Sequence, residues 1–434
     1  MSEHNQAKHN RDVALASFTK FRWFFIVLIV LAGVINYMDR STLAIGNTTI
    51  ASDLHLSTLQ MGALLSAFSW PYALANLPAG YLIDRYGVKK MFMAAAIAWS
   101  IVAIASSFAQ SFAFLYLCRV LLGVAESPFF SAGLKASQLW FAEHERSLPV
   151  SLVNTGSQIG NALAPPLLSF LLIAHGWRTM FVIVGIAGIV VAAIWWFAYR
   201  DPKEEEAEAI AASAPANAKQ SLKPVENASW FSLLKTPLTW YMALGAFGIF
   251  YTVWVFLTWL PSYLQKERGF SLMQTGWVAA LPYLCGIAGV MLGGAVSAWL
   301  IGRNVAPVTA RKIPIVTGAV VAAVAVAPVA YVQSTGVAIT LLCIGYFAAQ
   351  VPIGCIWTLA SDVALPNQVA SLGSIQNFGG FVGAAIAPLV TGAILEHTGT
   401  YNLVFAIGGV MLILGACSYG FLVRPQKQRN SQVA

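Results

Sequence analysis

Gly80-Tyr81-Leu82-Ile83-Asp84-Arg85-Tyr86-Gly87-Val88-Lys89-Lys90 is a short basic stretch with two glycines, set between two apolar runs at 58–83 and 90–108. A charged turn joining apolar runs of about 20 residues is what connects two membrane-spanning helices. Outward from this turn, apolar runs recur at 22–50, 58–83, 90–108, 111–134, 147–173, 178–199, 238–263, 275–300, 311–331, 336–361, 367–394 and 399–423. Runs of this length read as helices, because a membrane barrel would show short alternating strands instead. The expected fold is therefore all-α and integral to a membrane, with twelve transmembrane helices.

Composition agrees with that reading. Of 434 residues, 58% are hydrophobic and 10% charged, and the mean hydropathy is +0.70. Soluble domains carry about 25% charged residues. The net charge of +8 would suit a nucleic-acid partner, but its distribution argues against one. With the N-terminus in the cytoplasm, 20 of the 25 Lys and Arg residues fall on the cytoplasmic side. Arg178, Lys266 and Arg268 lie opposite, and Arg40 and Arg119 lie within spans. Such a bias orients an even number of spans with both termini inside, and it accounts for the basic charge without nucleic acid. The first apolar run follows 22 mostly polar residues and has no small-residue cleavage site, so it reads as a span rather than a signal peptide. Cys118, Cys285, Cys343, Cys355 and Cys417 all sit in apolar segments without metal-ligand or C-x-x-C spacing, and read as small core residues. No metal or other cofactor is expected. His4, His9, His55, His144, His175 and His397 fall at span ends or in loops. Any protons moved through the spans would therefore be carried by carboxylates.

The segment 200–237 contains Lys203-Glu204-Glu205-Glu206 and an Ala/Ser/Pro-rich continuation with no apolar face, as expected of a solvated cytoplasmic linker. It divides the chain into a tail at 1–21, a six-helix half at 22–199, a second six-helix half at 238–423 and a tail at 424–434. The halves echo one another. Pro71-Tyr72-Ala73-Leu74 in span two answers Pro282-Tyr283-Leu284-Cys285 in span eight. Gly160-Asn161-Ala162-Leu163-Ala164-Pro165 in span five answers Gly383-Ala384-Ala385-Ile386-Ala387-Pro388 in span eleven. Elements that recur six spans later mark two pseudo-symmetric halves with a site between them. Gly373, Gly379, Gly380, Gly383 and Pro388 make span eleven able to bend, which suits a gate and equally suits close packing.

Four charges lie inside the spans, all in the first half: Asp39 and Arg40 in span one, Arg119 and Glu126 in span four. A charge at the bilayer centre costs about 2.5–3.5 kcal/mol on insertion scales, so it is kept only when paired or used. Asp39 and Arg40 are adjacent and point about 100° apart on a helix. Arg119 and Glu126 share a face but are separated by roughly 10 Å of helix rise. The simplest arrangement sets spans one and four side by side, with Asp39 near Arg119 and Arg40 free for a ligand. A guanidinium suits a carboxylate because its planar fork makes two charge-assisted hydrogen bonds. Glu126, flanked by Ala125, Ser127, Pro128 and Phe129, has little to solvate its charge and suits proton uptake. A static buried network locking the first half is the alternative.

The Gly80–Lys90 stretch resembles the G-x-L-x-D-R-x-G-x-K/R-K/R signature of the major facilitator superfamily, and the match of spans, linker and repeats covers nearly the whole chain. The resemblance implies a cytoplasmic gate motif made by Gly80, Asp84, Arg85, Gly87, Lys89 and Lys90, with its basic residues pairing across the halves in the outward-facing state. Further segments are similar to the anion:cation symporter branch. They are Asn36-Tyr37-Met38-Asp39-Arg40-Ser41-Thr42-Leu43, Cys118-Arg119-Val120-Leu121-Leu122-Gly123-Val124-Ala125-Glu126-Ser127-Pro128, Trp140-Phe141-Ala142-Glu143-His144-Glu145-Arg146, Leu257-Thr258-Trp259-Leu260-Pro261 and Gln376-Asn377-Phe378-Gly379-Gly380. Bacterial proton-coupled carriers of galactonate, glucarate and hexuronates resemble the chain most. Tartrate and phthalate carriers, and animal sialic-acid and vesicular glutamate carriers, lie further off.

That resemblance implies the roles. Arg40 would hold the substrate carboxylate, Asp39 and Glu126 would take up protons, and Arg119 would tune an acid at the substrate site. Tyr37, Tyr72 and Asn377 match ligands for sugar hydroxyls, and Trp357 is where relatives carry a tryptophan that would stack on the sugar; each would equally serve as ordinary packing. The span-five glutamine of galactonate-type members falls on Ser157, with Gln158 one residue on, and Gly156-Ser157-Gln158-Ile159-Gly160 is closer to the hexuronate type. The expected function is import of an organic anion, a hexonate, hexarate or hexuronate, by proton symport with alternating access. The alternatives are a tartrate or phthalate carrier and an uncoupled anion uniporter or exchanger. Organophosphate antiport fits less well, since both membrane arginines lie in one half. Drug antiport also fits less well, since 154–166 lacks the glycine-proline motif of span five. No nucleophile–base set, metal cluster or phosphate loop suggests an enzyme. The expected setting is a bacterial inner membrane, with small anions and protons as partners and a monomer as the family default.

Overall fold

The computed structural model describes residues 3–141, 147–202, 206, 233–363 and 369–423. Most of the expected linker at 200–237, the tail at 424–434 and residues 142–146 of the Trp140–Arg146 segment lie outside the described residues. Among the described residues every regular element is a helix. Ten helices are long and apolar enough to cross a bilayer. One of these, within Ser147–Ala198, contains Gly176 at φ 78° and ψ 166°, and so comprises spans five and six. Span two is formed by Thr58–Ser66 and Ser69–Tyr86, interrupted between them. Ten helices, one of them double, plus the interrupted one make the expected twelve. Span one begins earlier than its apolar run, in a helix Glu3–Ile45. Large apolar side chains face outward around the bundle, including Phe197 (86% exposed), Met291 (71%) and Val324 (69%), as suits a lipid-facing surface.

Two local devices recur six spans apart. Span two opens with a capping box in which the Ser57 hydroxyl accepts from the Gln60 backbone N–H and the Gln60 side chain accepts from the Ser57 N–H. Span eight, Leu272–Gly302, opens with the same box built from Ser271 and Gln274. Span four is broken into Phe112–Glu126 and Pro128–Trp140. Span ten is broken in the same way, into Thr335–Gln350 and Ile353–Val363, with Pro352 at the break. Proline removes a backbone donor and clashes with the preceding turn, so each helix ends just before its proline and restarts.

The two ends of the bundle differ. At the end away from the Gly80–Lys90 turn, buried residues of both halves form one apolar cluster, from Leu43, Ile50 and Leu64 to Trp259, Tyr263 and Leu395. Polar contacts cross between the halves there. The Thr48 hydroxyl donates to Gln265 Oε1 (2.7 Å), the Leu59 N–H donates to Glu396 Oε2 (3.1 Å) and the Ser66 hydroxyl donates to the Ala385 carbonyl (2.5 Å). Gly62 and Gly392 let spans two and eleven touch backbone to backbone, since a Cβ on Gly62 would sit 2.6 Å from the Pro388 carbonyl. At the basic end the apolar core divides. One cluster belongs almost wholly to the first half and another to the second. Among the described residues, the halves therefore share one core at the far end and have largely separate cores at the end carrying Arg85, Lys89 and Lys90.

Candidate functional site

Span one contributes Asn36, Tyr37, Asp39 and Arg40 from just over one helical turn. The neighbouring hydroxyls do not serve these groups. Ser41 Oγ donates to the Tyr37 carbonyl (2.8 Å) and Thr42 Oγ1 donates to the Asp39 carbonyl (2.6 Å). Such back-bonds occupy short polar side chains within their own helix. The Asp39 carboxylate is thus 1% exposed with neither oxygen hydrogen-bonded by the protein. Span four contributes Arg119 (3% exposed) and, at its break, Glu126 (0%).

Spans one and four do meet, but not as expected. Arg40 is not free: its Nε donates to Glu126 Oε2 at 2.6 Å. Asp39 stands near Arg119, as expected, with Glu126 and Arg40 also around it, yet it hydrogen-bonds to none of them. The helix break explains the Arg40–Glu126 pair. Glu126 is the last residue of its helix segment, where it meets the arginine side of span one. The Arg40 guanidinium lies over the rings of Tyr37 (4.6 Å), Phe68 (4.6 Å) and Tyr72 (4.8 Å), and that of Arg119 over Phe68 (5.6 Å). Cation–π contacts of this kind replace part of the lost hydration. Both terminal nitrogens of Arg40, two nitrogens of Arg119, Glu126 Oε1 and both Asp39 oxygens remain without a protein partner. Each buried group left so costs about 1–3 kcal/mol, more when charged.

The other expected ligands are distributed around it. Tyr37 and Tyr72 flank Arg40 directly. Span five packs onto span one at Gly160, where a Cβ would meet Tyr37 Cβ at 2.8 Å. One turn earlier on span five, Ser157 Oγ and Gln158 Oε1 are buried without partners. In the second half, Asn377 is half-buried and Trp357 is 47% exposed. Neither makes a hydrogen bond or ring contact with the cluster. The second half approaches instead through Phe381 of span eleven, whose ring lies 4.8 Å from that of Tyr72 and 5.4 Å from that of Trp254. Phe68, which covers both arginines, is not among the residues expected from sequence. The signal was its place one turn before Tyr72, with which it stacks at 5.4 Å. Asn36, fully buried beside Glu126, is likewise not among them.

In the turn at the basic end, Asp84 Oδ1 accepts from Lys135 Nζ at 2.8 Å, and Arg85 Nη1 reaches the Tyr81 hydroxyl at 3.3 Å. Lys89 lies over Trp196 (4.9 Å), and Lys90 is exposed. All these partners belong to the first half, so among the described residues these polar and cation–π contacts of the motif do not cross the halves. Gly87 sits at φ 83°, which side-chain-bearing residues rarely adopt. A Cβ on Gly80 would meet nothing within 4 Å, so this structure supplies no packing reason for it. At the opposite end, hydrogen bonds from Arg178 (2.6 Å) and Trp177 (3.0 Å) hold the Asp53 carboxyl below its ordinary range.

Comparison with known proteins agrees with this architecture. Residues 29–387 match the family model described as Major Facilitator Superfamily. The chain is 37% identical to the "Probable L-galactonate transporter" of Escherichia coli (strain K12) over 92% of this chain and 88% of that one. It is 31% identical to the "Probable galactarate/D-glucarate transporter GarP" of the same strain, over 95% of this chain and 96% of that one. A crystal structure of a bacterial homolog to the human lysosomal transporter Spinster, inward-facing and unoccupied, superposes with a TM-score of 0.75 at 21% identity, covering 92% and 96% of the two chains. With twelve spans in two halves, a buried charge cluster and this family match, the chain is a multi-pass membrane transporter rather than an enzyme, and it belongs to the major facilitator superfamily.

Proposed function

We propose that the protein imports a sugar acid, a hexonate, hexarate or hexuronate, by proton symport with alternating access. The observation that carries this reading is the charge balance of the buried cluster. Two carboxylates and two guanidiniums sum to zero when all are ionised. A substrate carboxylate that arrives at the unpaired Arg40 nitrogens makes the sum −1. A net charge in a low-dielectric interior is costly, so binding the anion favours one proton on Asp39 or Glu126. Once protonated, Glu126 holds Arg40 less tightly and frees its fork for the substrate. Anion and proton thus promote one another's binding, as symport requires. A static lock would have satisfied these groups against each other, yet seven of their nitrogen and oxygen atoms have no protein partner.

The sugar-acid class draws on the names of the relatives and on the ring of phenols and amides near Arg40. With the basic end in the cytoplasm, the separate cores at that end support an inward-facing reading, with Asp84–Lys135 as a disengaged latch. The same charge bias supports both termini inside, and the bacterial origin of the relatives supports an inner-membrane setting.

The test is proton uptake into proteoliposomes loaded with a pH-sensitive dye, challenged in turn with galactonate, glucarate, glucuronate, galacturonate, tartrate and phthalate. Acidification with a sugar acid, lost in Glu126→Gln, is expected. Labelled-anion exchange without acidification would show uncoupled transport. Silence with every sugar acid in both assays would overturn the substrate class.

A further inference from the structure

The second half has its own unsatisfied group at the depth of the charge cluster. Span ten breaks after Gln350, before Pro352, as span four breaks after Glu126, before Pro128. Gln350 thus holds the place in the second half that Glu126 holds in the first. One turn before it, Tyr346 is 0% exposed and its hydroxyl has no hydrogen-bond partner of good geometry. The Gln350 carboxamide lies beside that hydroxyl, and from the opposite half the nearby titratable group is Tyr37, which flanks Arg40. The Tyr346 ring cannot swing away. It packs 5.2 Å from the rings of Tyr283 and Phe256, and a Cβ on Gly286 would meet its edge at 2.5 Å. Tyr283, its neighbour, is different, since its hydroxyl donates to the Phe256 carbonyl at 3.0 Å. Of two buried phenols packed edge to face, the hydroxyl of one is tied to the backbone and that of the other is not.

We propose that Tyr346, with Gln350 beside it, is the second half's specificity-determining contact for the hydroxyl-bearing part of the substrate, opposite the carboxylate site at Arg40. The inference rests on the sugar-acid reading above. A phenol and a carboxamide each donate and accept, which matches an alcohol and gives nothing extra to a second carboxylate. A buried polar group waiting for a substrate hydroxyl discriminates strongly against an analogue that lacks it, because the group is then left unpaired.

The experiment compares uptake of galactonate with that of its monodeoxy analogues, one hydroxyl removed at a time, in wild type and in Tyr346→Phe. The variant keeps the ring and its packing and deletes one oxygen; Gln350→Met is the second probe should Tyr346→Phe not fold. Wild type is expected to prefer galactonate over one particular deoxy analogue, and Tyr346→Phe to lose about five- to tenfold of that one preference. Preferences unchanged at every position in both variants would overturn the assignment. Wild type that moves labelled acids of another class but no sugar acid would instead overturn the reading it rests on.

Discussion

Spans four and ten are the same device with different chemistry. Each runs to a buried polar residue, stops before a proline and restarts. Span four carries Arg119 and Glu126, joined to Arg40 of span one, while span ten carries Tyr346 and Gln350 with no charge between them. Among the described residues, every fully buried charged side chain lies in the first half. The difference teaches that the repeat supplies geometry and the side chains divide the labour: charge and protons on one side, neutral hydrogen bonding on the other.

The strongest way to break this comparison is Glu126→Gln, which makes the two positions alike. The variant removes a proton acceptor but keeps a neutral side chain of the same size, so proton-driven uptake should fall about a hundredfold or more, with exchange of labelled anion surviving. Undiminished acidification in the dye assay would mean that protons travel elsewhere. The reverse change, Gln350→Glu, sets a buried carboxylate where no arginine waits. Its penalty is several kcal/mol, read as a lower melting temperature of the purified protein and loss of transport. Coupled uptake by the double variant Glu126→Gln/Gln350→Glu would show the halves to be interchangeable and end the argument.

A third change tests the difference between the two ends of the bundle. Gly62→Ala places a methyl against the backbone of Pro388 and Gly392. Overpacking of this kind costs about 1–3 kcal/mol. It should loosen the far end and raise thiol labelling of a cysteine introduced nearby, whereas unchanged labelling would mean that this contact does not hold the end shut. Asp84→Asn removes the Lys135 pair. The pair is exposed, with 64% of the Asp84 side chain accessible, so about 0–1 kcal/mol is at stake and turnover should slow less than fivefold. Turnover equal to wild type would show that this exposed pair contributes nothing to gating, and a slowing beyond fivefold that Asp84 acts through more than the Lys135 pair.

The smallest effect concerns Asp53. Its carboxyl is held low by Arg178, so the contact contributes above the unfolded value of about 3.9 and is lost as pH falls through the lower folded value. Asp53→Asn should therefore melt slightly below wild type near pH 7, and the difference should shrink as pH falls below about 4 and vanish only below the lower folded value. An undiminished difference in acid would assign the effect to packing instead.

The fold was legible because length, hydropathy and charge bias act locally along the chain. Apolar runs of spanning length, basic turns on one side and repeated Pro-Tyr and Gly-to-Pro segments needed no contacts to be read. Of the candidate site, the membership was legible and the pairing was not. Charges inside a bilayer stand out in any sequence. Whether Arg40 meets Glu126 or a ligand depends on the rotation and approach of spans one and four, which helical periodicity does not supply. Tyr346 was invisible for another reason: a tyrosine in an apolar span reads the same whether its hydroxyl is bonded, as in Tyr283, or not.

By itself, then, the sequence determined the class of protein, its twelve spans and two halves, the motif at the basic end and the confinement of buried charge to the first half. These follow from transfer free energies and residue order. Only the tertiary structure decided that Arg40 bonds Glu126 and leaves the Asp39 carboxylate without a hydrogen bond, that the halves share a core at one end and keep separate cores at the other, and that span ten answers span four with a phenol and an amide. Those outcomes depend on which side chains of distant segments are brought within about 3 Å, the reach of a hydrogen bond.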